Sequence, residues 1–258
     1  MFRRMGFIAA TTLVLASVPS AAFAILTTVF SETFDTDTAN AEATYPAFTH
    51  VRTPAANGTA TAAGGQLILS QQTSGVDGGF ITDATYTGML EAHLDVGRTA
   101  GNSGNATVGV AIGNRVFHFF PGFPDGAFRV GEFNPATGVF GAILVSNTDM
   151  GFTPAPGSLH HMEVISDGLG EFDILIEDAN SASVFNFNYS DGTFVAGPVG
   201  PAYKDFNSGS GLVGAYDNFA ILQDVPAPPL IPEPATWLLL APGSLALALR
   251  RHRRQAVG

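Results

Sequence analysis

The segment 159–178 reads LHHMEVIS, then DGLG, then EFDILIED. Apolar and acidic side chains alternate in its last third, with Phe172, Ile174 and Ile176 set against Glu171, Asp173 and Glu177. A period of two residues is typical of a strand with one buried and one solvated face. Asp and Gly between the two apolar runs favour a turn. The segment therefore predicts a β-hairpin that joins 159–166 to 171–178.

The same pattern recurs along most of the chain. In 89–96, Leu90, Ala92, Leu94 and Val96 alternate with Glu91, His93 and Asp95. Gly113-Asn114 is a hairpin turn signal between two apolar runs. The predicted strands are 26–32, 66–72, 80–82, 89–96, 106–112, 115–120, 127–133, 139–145, 159–166, 171–178, 184–189, 193–199 and 211–222. Segments 39–46 and 55–65 are expected to be loops. So many short strands predict an all-β fold, an antiparallel β-sandwich. An immunoglobulin-like sandwich is the alternative, but it needs far fewer strands.

Charge is distributed unevenly between the body of the chain and its ends. Residues 25–225, which have the size of one domain, hold five basic and 21 acidic residues, a net charge of −16 against −11 for the whole chain. Such a surface repels nucleic acid and anionic lipid, and suits divalent cations and neutral glycans. The chain has no cysteine, which excludes disulfides, zinc–thiolate sites and cysteine nucleophiles.

Residues 1–24 have the layout of a signal peptide. Arg3 and Arg4 precede an apolar run at 6–16, and Ala22-Phe23-Ala24 is a small-x-small cleavage site. We therefore expect an N-terminal signal helix and a mature chain that begins at Ile25.

The other end has a stiff linker and a short apolar segment. Residues 226–232 are rich in proline, and Pro232-Glu233-Pro234 follows at the junction. Residues 235–249 carry no charge, and as a helix they would span about 22 Å, less than the roughly 30 Å of a bilayer core. The cluster Arg250, Arg251, Arg253 and Arg254 then favours a cytoplasmic end.

Segment 231–254, with its Pro-Glu-Pro triplet, apolar helix and arginine cluster in that order, resembles the PEP-CTERM sorting signal. The resemblance implies an exosortase-type membrane transpeptidase as partner, a transient membrane anchor, and an address at the cell envelope of a Gram-negative bacterium. A single-span anchor that is never processed is the alternative.

The body resembles the concanavalin-type jelly roll of lectin and laminin-G-like domains, on the opening FSETFD at 30–35 and the closing GLVGAYDNF at 211–219. The resemblance implies that the first and last strands pair. That pairing would bring Glu32 and Asp35 close to Asp217, where related jelly rolls hold a structural calcium ion. Calcium favours carboxylate and carbonyl oxygens. The alternative is that these acids only cap backbone amides of turns.

The strand 171–177 is similar to the Glu-x-Asp-x-(x)-Glu strand of family 16 glycoside hydrolases, which act on β-glucans. The resemblance makes Glu171 and Asp173 the candidate nucleophile and acid, which in retaining enzymes lie about 5–5.5 Å apart. Glu177 lies too far along the strand for the third position. The body also lacks the tryptophans that stack on sugars.

The histidines and phenylalanines suggest no further catalytic set. His160 and His161 are adjacent, so on a strand they face opposite sides and cannot chelate together. His50, His93 and His118 are expected to be isolated. The group Phe117, Phe119, Phe120 and Phe123 is predicted to form core plus a turn, with a sugar platform as the alternative.

These observations favour an exported, envelope-sorted, non-enzymatic β-sandwich protein. It is expected to bind glycan, or to serve as a structural component, in extracellular polysaccharide or biofilm matrix. The alternatives are a β-glucan hydrolase that uses Glu171 and Asp173, and a surface protein without any ligand.

Overall fold

Strands dominate the chain, as the alternating pattern predicts. A computed structural model describes residues 25–53, 58–71, 76–98, 106–120, 126–155, 157–180, 182–205 and 213–225. The strands in these ranges are β1 (Ile25–Glu32), β2 (Phe48–Thr53), β3 (Gly58–Ala63), β4 (Gln66–Gln71), β5 (Asp77–Thr82), β6 (Leu90–Arg98), β7 (Ala106–Ile112), β8 (Arg115–Phe119), β9 (Ala127–Phe133), β10 (Phe140–Asp149), β11 (Leu159–Ser166), β12 (Glu171–Glu177), β13 (Val184–Ser190), β14 (Val199–Asp205) and β15 (Val213–Val225). The helix described is α1 (Ala41–Thr44), capped by the Asn40 side chain.

Two sheets form the sandwich. The eight-stranded sheet has the order β13-β12-β11-β6-β15-β4-β3, with β1 also paired to β15. The seven-stranded sheet has the order β10-β9-β8-β7-β14-β5-β2. The prediction of an antiparallel β-sandwich is confirmed, and so is the pairing of the first strand with the last. The fifteen strands within the described ranges exceed what an immunoglobulin-like domain would hold.

The core lies between the sheets, where the inward halves of the alternating patterns meet. The Phe117 ring on β8 lies 4.9 Å, centroid to centroid, from that of Phe172 on β12. Tyr216 on β15 is fully buried, and its hydroxyl donates to the carbonyl oxygen of Ala202 on β14 at 2.7 Å. Aromatic packing and this hydrogen bond therefore hold the two sheets together.

The hairpin signals give the correct local pairing. Ile112 pairs with Arg115 across the predicted turn, where Gly113 has φ +53°. A left-handed conformation of this kind is easily adopted by glycine. Met162 pairs with Ile176 in the hairpin β11–β12, and Ile174 and Ile176 are both buried.

The expected loop 55–65 is instead largely strand β3, and the segment 39–46 contains α1. Ala60 and Ala62 are buried against the core. Thr38 and Ala62 exchange two backbone hydrogen bonds of 2.8 and 2.9 Å. Small side chains let the chain before α1 pack closely on β3, which is why a segment of low apolar content forms part of a sheet.

The predicted strand 193–199 is wrong, since strand β14 begins at Val199. The preceding residues form a turn fixed by side chains. Asp191 Oδ1 accepts from the backbone N–H of Thr193 at 2.8 Å, and Asn114 Oδ1 accepts from that of Val195, also at 2.8 Å. Backbone donors used in this way are not available to a sheet ladder.

The targeting predictions fall outside the described residues. These are the signal peptide 1–24, the linker 226–232, the sorting segment 231–254 and its apolar helix at about 235–249. Over the ranges that the structure describes, no helix is long and apolar enough to cross a bilayer.

Candidate functional site

The predicted hydrolase strand is β12, which lies next to the edge strand β13. Phe172, Ile174 and Ile176 enter the core as predicted. Glu171 and Asp173 lie exposed on the outer face of the eight-stranded sheet. Ser190 on β13 donates its hydroxyl to Glu171 Oε1 at 2.6 Å, and Asn188 donates to Asp173 Oδ1. An acid catalyst of a glycosidase is held protonated by an apolar pocket. An open sheet face with polar neighbours lacks that property.

The third member of the predicted catalytic set, Glu177, lies at the far end of β12, opposite Val184. The structure thus places it at the other end of the strand from Glu171. The assignment of these three carboxylates to hydrolysis stays a prediction.

The predicted calcium ligands lie on or beside two paired strands of the eight-stranded sheet. Glu32 ends β1, Asp35 follows it, and Asp217 lies on β15. Glu32 Oε1 accepts the backbone N–H groups of Thr33 and Phe34, each at 3.1 Å. Burial raises the pKa of Asp217, and the charges of Asp95 and Asp35 add to the effect. Asp35 and Asp217 therefore share a neighbourhood, whereas Glu32 is engaged in its own turn.

A histidine pair that local sequence patterns do not reveal lies on the outer face of the same sheet. In the β6–β11 pairing, His93 lies opposite Glu163 and His161 lies opposite Asp95. The His93 and His161 rings are 5.8 Å apart, centroid to centroid. The expectation that His93 is isolated is wrong, because the register of two distant strands places it beside His161. His160 is buried, so the two adjacent histidines face opposite sides of β11 as predicted.

Carboxylates surround this histidine pair. Asp95 Oδ1 lies 3.0 Å from His161 Nδ1, and Glu91 Oε2 lies 3.2 Å from His93 Nε2. Glu163 Oε2 is 4.0 Å from His93 Nδ1. The hydrogen bond to Asp95 raises the pKa of His161, and the same bond lowers the pKa of Asp95. We call His93, His161 and Glu163 the histidine cluster.

At one end of the seven-stranded sheet, residues of the sheet itself cover its outer face. Ile81, Ala111, Val116, Phe133, Phe140 and Ala202 form a buried apolar cluster there. Thr53 on the edge strand β2 donates its hydroxyl to the carbonyl oxygen of Thr137, in the β9–β10 turn, at 2.6 Å. Asp77 Oδ2, on β5, accepts the backbone N–H of Phe140 at 3.0 Å. Because opposite edges of one sheet meet, the sheet is curled and this face is concave.

A cleft of about 420 Å³ opens beside this closed end. Its lining residues are Asn114, Arg115, Glu132, Phe133, Asn134, Thr137, Val139 and Gly141. The volume falls within the range of small-ligand sites. Residues in and beside two turns, β7–β8 and β9–β10, line the cleft. No single stretch of the sequence therefore predicts it. The clustering of Asn and Gly at both turns is the one signal that the sequence carries.

The walls of the cleft are held in place by hydrogen bonds. The Asn114 amide donates to the Thr193 carbonyl oxygen at 3.1 Å while its own oxygen accepts from Val195. Glu132 is exposed, and its Oε2 accepts the backbone N–H of Ala142 at 3.2 Å. The cleft therefore presents the exposed side chains of Glu132 and Asn134, whereas the Phe133 ring is buried. A carboxylate and an amide match the hydroxyl groups of a neutral sugar.

The predicted aromatic group is core. Phe117, Phe119 and Phe120 are buried, and Phe123 lies outside the described residues. The Arg129 guanidinium lies over the Phe120 ring, 4.4 Å from its centroid.

No protein-family model matches the chain, and no curated protein matches it. Solved structures do. One is LamA from Z. galactanivorans in complex with laminaritriose and laminaritetraose, with 8% identity over 76% of this chain and 99% of that one, and a TM-score of 0.51. Another is a legume lectin-like domain from Entamoeba histolytica, with 10% identity over 72% of this chain and 93% of that one, and a TM-score of 0.51. At these identities the likeness shows the fold, a lectin-like jelly roll of the concanavalin type.

Proposed function

We propose that the β-sandwich is a non-enzymatic glycan-binding module and that the cleft between the β7–β8 and β9–β10 turns is its binding site. The observation that carries the proposal is the cleft itself, with the Glu132 carboxylate and Asn134 amide beside Phe133. Two fixed turns hold these groups, so little conformational entropy is lost on binding. The acidic body favours a neutral saccharide over an anionic one.

The fold gives independent support for this class of ligand. Of the two matching structures described above, one holds laminaritriose and laminaritetraose and the other is a lectin-like domain. Both saccharides are uncharged, which agrees with the charge of the body. Fold alone does not fix a ligand, so the proposal depends on the cleft.

A glycan array tests this function. The secreted form should bind neutral oligosaccharides, and Glu132→Gln with Asn134→Ala should weaken the binding by about tenfold or more, since the first replaces a charged acceptor with a neutral amide and the second removes an amide. Asn186→Ala, on the exposed face of β13, is the matched control and should bind normally. Binding that is insensitive to Glu132 and Asn134 would move the site elsewhere, and no binding to any glycan would favour a purely structural role.

A hydrolase is the second candidate, because Glu171 and Asp173 occupy alternate positions of one strand in a fold shared with LamA. Turnover of β-glucan by the secreted form, abolished in Glu171→Gln, would establish it. We expect no turnover, because both carboxylates lie on an open face and are hydrogen-bonded to β13.

We further infer the route of the protein from its two ends. Residues 1–24 direct export, and the PEP-CTERM segment 231–254 gives transient membrane anchoring before an exosortase-type enzyme acts at the Gram-negative envelope. The intact mass of the native product tests this: both ends should be absent. A full-length chain in the cytosol would contradict it.

Finally, we infer that Glu32, Asp35 and Asp217 hold a structural calcium ion. The local charge favours a bound cation, because the negative charges of Asp95 and Asp35 raise the pKa of Asp217 and so disfavour its ionisation. A divalent cation would relieve that repulsion and join β1 to β15.

A further inference from the structure

We propose that the histidine cluster is a binding site for a divalent transition-metal ion, with Zn²⁺ as the best-fitting ion. His93, His161 and Glu163 each offer one ligand atom, and these atoms all lie within 4.8 Å of one another. Over the ranges that the structure describes, they form the one such group of three or more histidine and carboxylate ligands. The site is distinct from the glycan cleft and from the acids assigned to calcium.

The backbone that carries the ligands is regular. Strands β6 and β11 are paired in register from Leu159 opposite Gly97 to Ser166 opposite Leu90. His93 and Glu163 are direct partners in this ladder, and His161 lies two residues from Glu163 on the same face. Ligands of a tetrahedral Zn²⁺, at about 2.0–2.1 Å from the ion, lie roughly 3.3 Å apart. The cluster therefore needs to close by up to about 1.5 Å, which side-chain rotation can supply without any movement of the strands.

The surrounding carboxylates fix the imidazole rings. Asp95 lies at Nδ1 of His161, which leaves Nε2 of that ring for the metal. Glu91 lies at Nε2 of His93, which leaves Nδ1, the atom that faces Glu163. A carboxylate on the second nitrogen of a metal-binding histidine sets the tautomer and increases the basicity of the ligand. Both histidines have this partner.

The type of ligand determines the type of ion. Calcium and magnesium favour sites made of oxygen atoms, whereas imidazole favours zinc, copper and nickel. The His161 side chain is 38% exposed, and those of His93 and Glu163 are 22% and 24% exposed, so an ion can enter from solvent. Three protein ligands leave a fourth position for water or for a group from a neighbouring molecule.

Titration calorimetry of the chelator-treated full chain with ZnCl₂ tests the site. We expect one Zn²⁺ per chain, a rise in melting temperature, and a loss of affinity on the order of 100-fold in His161→Ala and in His93→Ala. Asp95→Asn, which changes only a positioning residue, should weaken Zn²⁺ binding by about 10–100-fold. Asn186→Ala, on the same sheet face but outside the cluster, should bind Zn²⁺ as the wild type does.

A spectroscopic measurement guards against variants that fail to fold. Co²⁺ bound in place of Zn²⁺ should give visible absorption typical of a four-coordinate nitrogen and oxygen site, and Glu163→Gln should alter it while circular dichroism stays unchanged. The proposal is overturned if the wild type binds no Zn²⁺. It is also overturned if the double variant His93→Ala/His161→Ala binds Zn²⁺ with unchanged affinity. Neither outcome bears on glycan binding at the cleft.

Discussion

Arg115 on β8 and Asp191 in the turn after β13 form a buried ion pair between segments 76 residues apart in the chain. Their side chains are only 3% and 8% exposed. Arg115 also donates to the Asn114 carbonyl oxygen at 2.8 Å and to Thr193 Oγ1 at 2.5 Å. The hydrogen bond from Arg115 holds the pKa of Asp191 well below its usual range. The pair therefore joins the two turns that position one wall of the cleft.

Removal of one partner should be costly. A buried charge left without its partner typically lowers the free energy of unfolding by about 3–5 kcal/mol, and we expect this for Asp191→Ala by urea denaturation. The exposed pair Arg52–Glu42, at 3.3 Å, is the matched control, and Glu42→Ala should cost less than about 1 kcal/mol. Equal losses in the two variants would contradict a special role for the buried pair.

Acid should weaken the fold through buried histidines. Burial, with the nearby charges of Arg129 and Lys204, lowers the pKa of His118 from 6.5 to about 3. The unfolded chain therefore binds a proton that the folded chain does not, so stability is full above about pH 6.5 and falls as the pH drops towards 3. Between pH 7.5 and 5 this histidine should account for a loss of about 2 kcal/mol.

The variant His118→Leu tests this linkage. It removes the proton-binding group, and the fall in unfolding free energy between pH 7.5 and 5 should shrink by about 2 kcal/mol. His50, whose pKa is also lowered to about 3 by burial and by Arg52, should account for part of the remaining fall. Phe119→Leu changes the core without a titratable group and should lower stability equally at both pH values. An unchanged pH dependence in His118→Leu would refute the argument.

Alternation of side chains along the chain predicts much of the fold. The patterns in 89–96 and 171–177 place the correct faces of β6 and β12 in the core, since a strand's faces follow from its own residues. Glycine and asparagine at 113–114 predict the β7–β8 hairpin for an equally local reason. Strand β3 is missed because alanine and threonine carry little of the apolar signal, and its burial depends on contact with Thr38.

The histidine cluster and the cleft are not encoded locally. His93 and His161 lie on the predicted outer faces of their strands, but their proximity depends on the register between β6 and β11. That register is set by the whole sheet. The cleft likewise depends on curling of the seven-stranded sheet, which brings the β9–β10 turn to Thr53 on the far edge.

A single methyl group should disturb the curled sheet. A Cβ atom at Gly109 on β7 would lie 2.0 Å from the Phe117 carbonyl oxygen and 2.7 Å from the His118 Cα atom. Both are backbone atoms of the paired strand, so Gly109→Ala should cost at least about 3 kcal/mol in thermal or urea unfolding. Gly192→Ala, where no atom lies within 4 Å of the added group, is the control and should be nearly neutral. A stable Gly109→Ala variant would show that β7 and β8 can separate freely.

Calcium should reverse an electrostatic defect at the junction of β6 and β15. Asp95 and Asp217 are direct partners across this pair of strands, and directly opposed like charges destabilise a sheet by roughly 0.2–1 kcal/mol. The raised pKa of Asp217 means that its ionisation costs stability as the pH rises through that pKa. At neutral pH, Asp217→Asn should therefore stabilise the calcium-free protein slightly.

The wild type, in contrast, should gain about 2.7 kcal/mol at a calcium concentration 100 times the dissociation constant. For a domain of this size that is a rise of about 5–10 °C in melting temperature, which Asp217→Asn should lose. Asp224→Asn on the same strand is the control and should keep the calcium response. If neither chelator nor calcium changes the melting temperature of the wild type, Glu32, Asp35 and Asp217 do not bind calcium and only form hydrogen bonds within their own turns and strands.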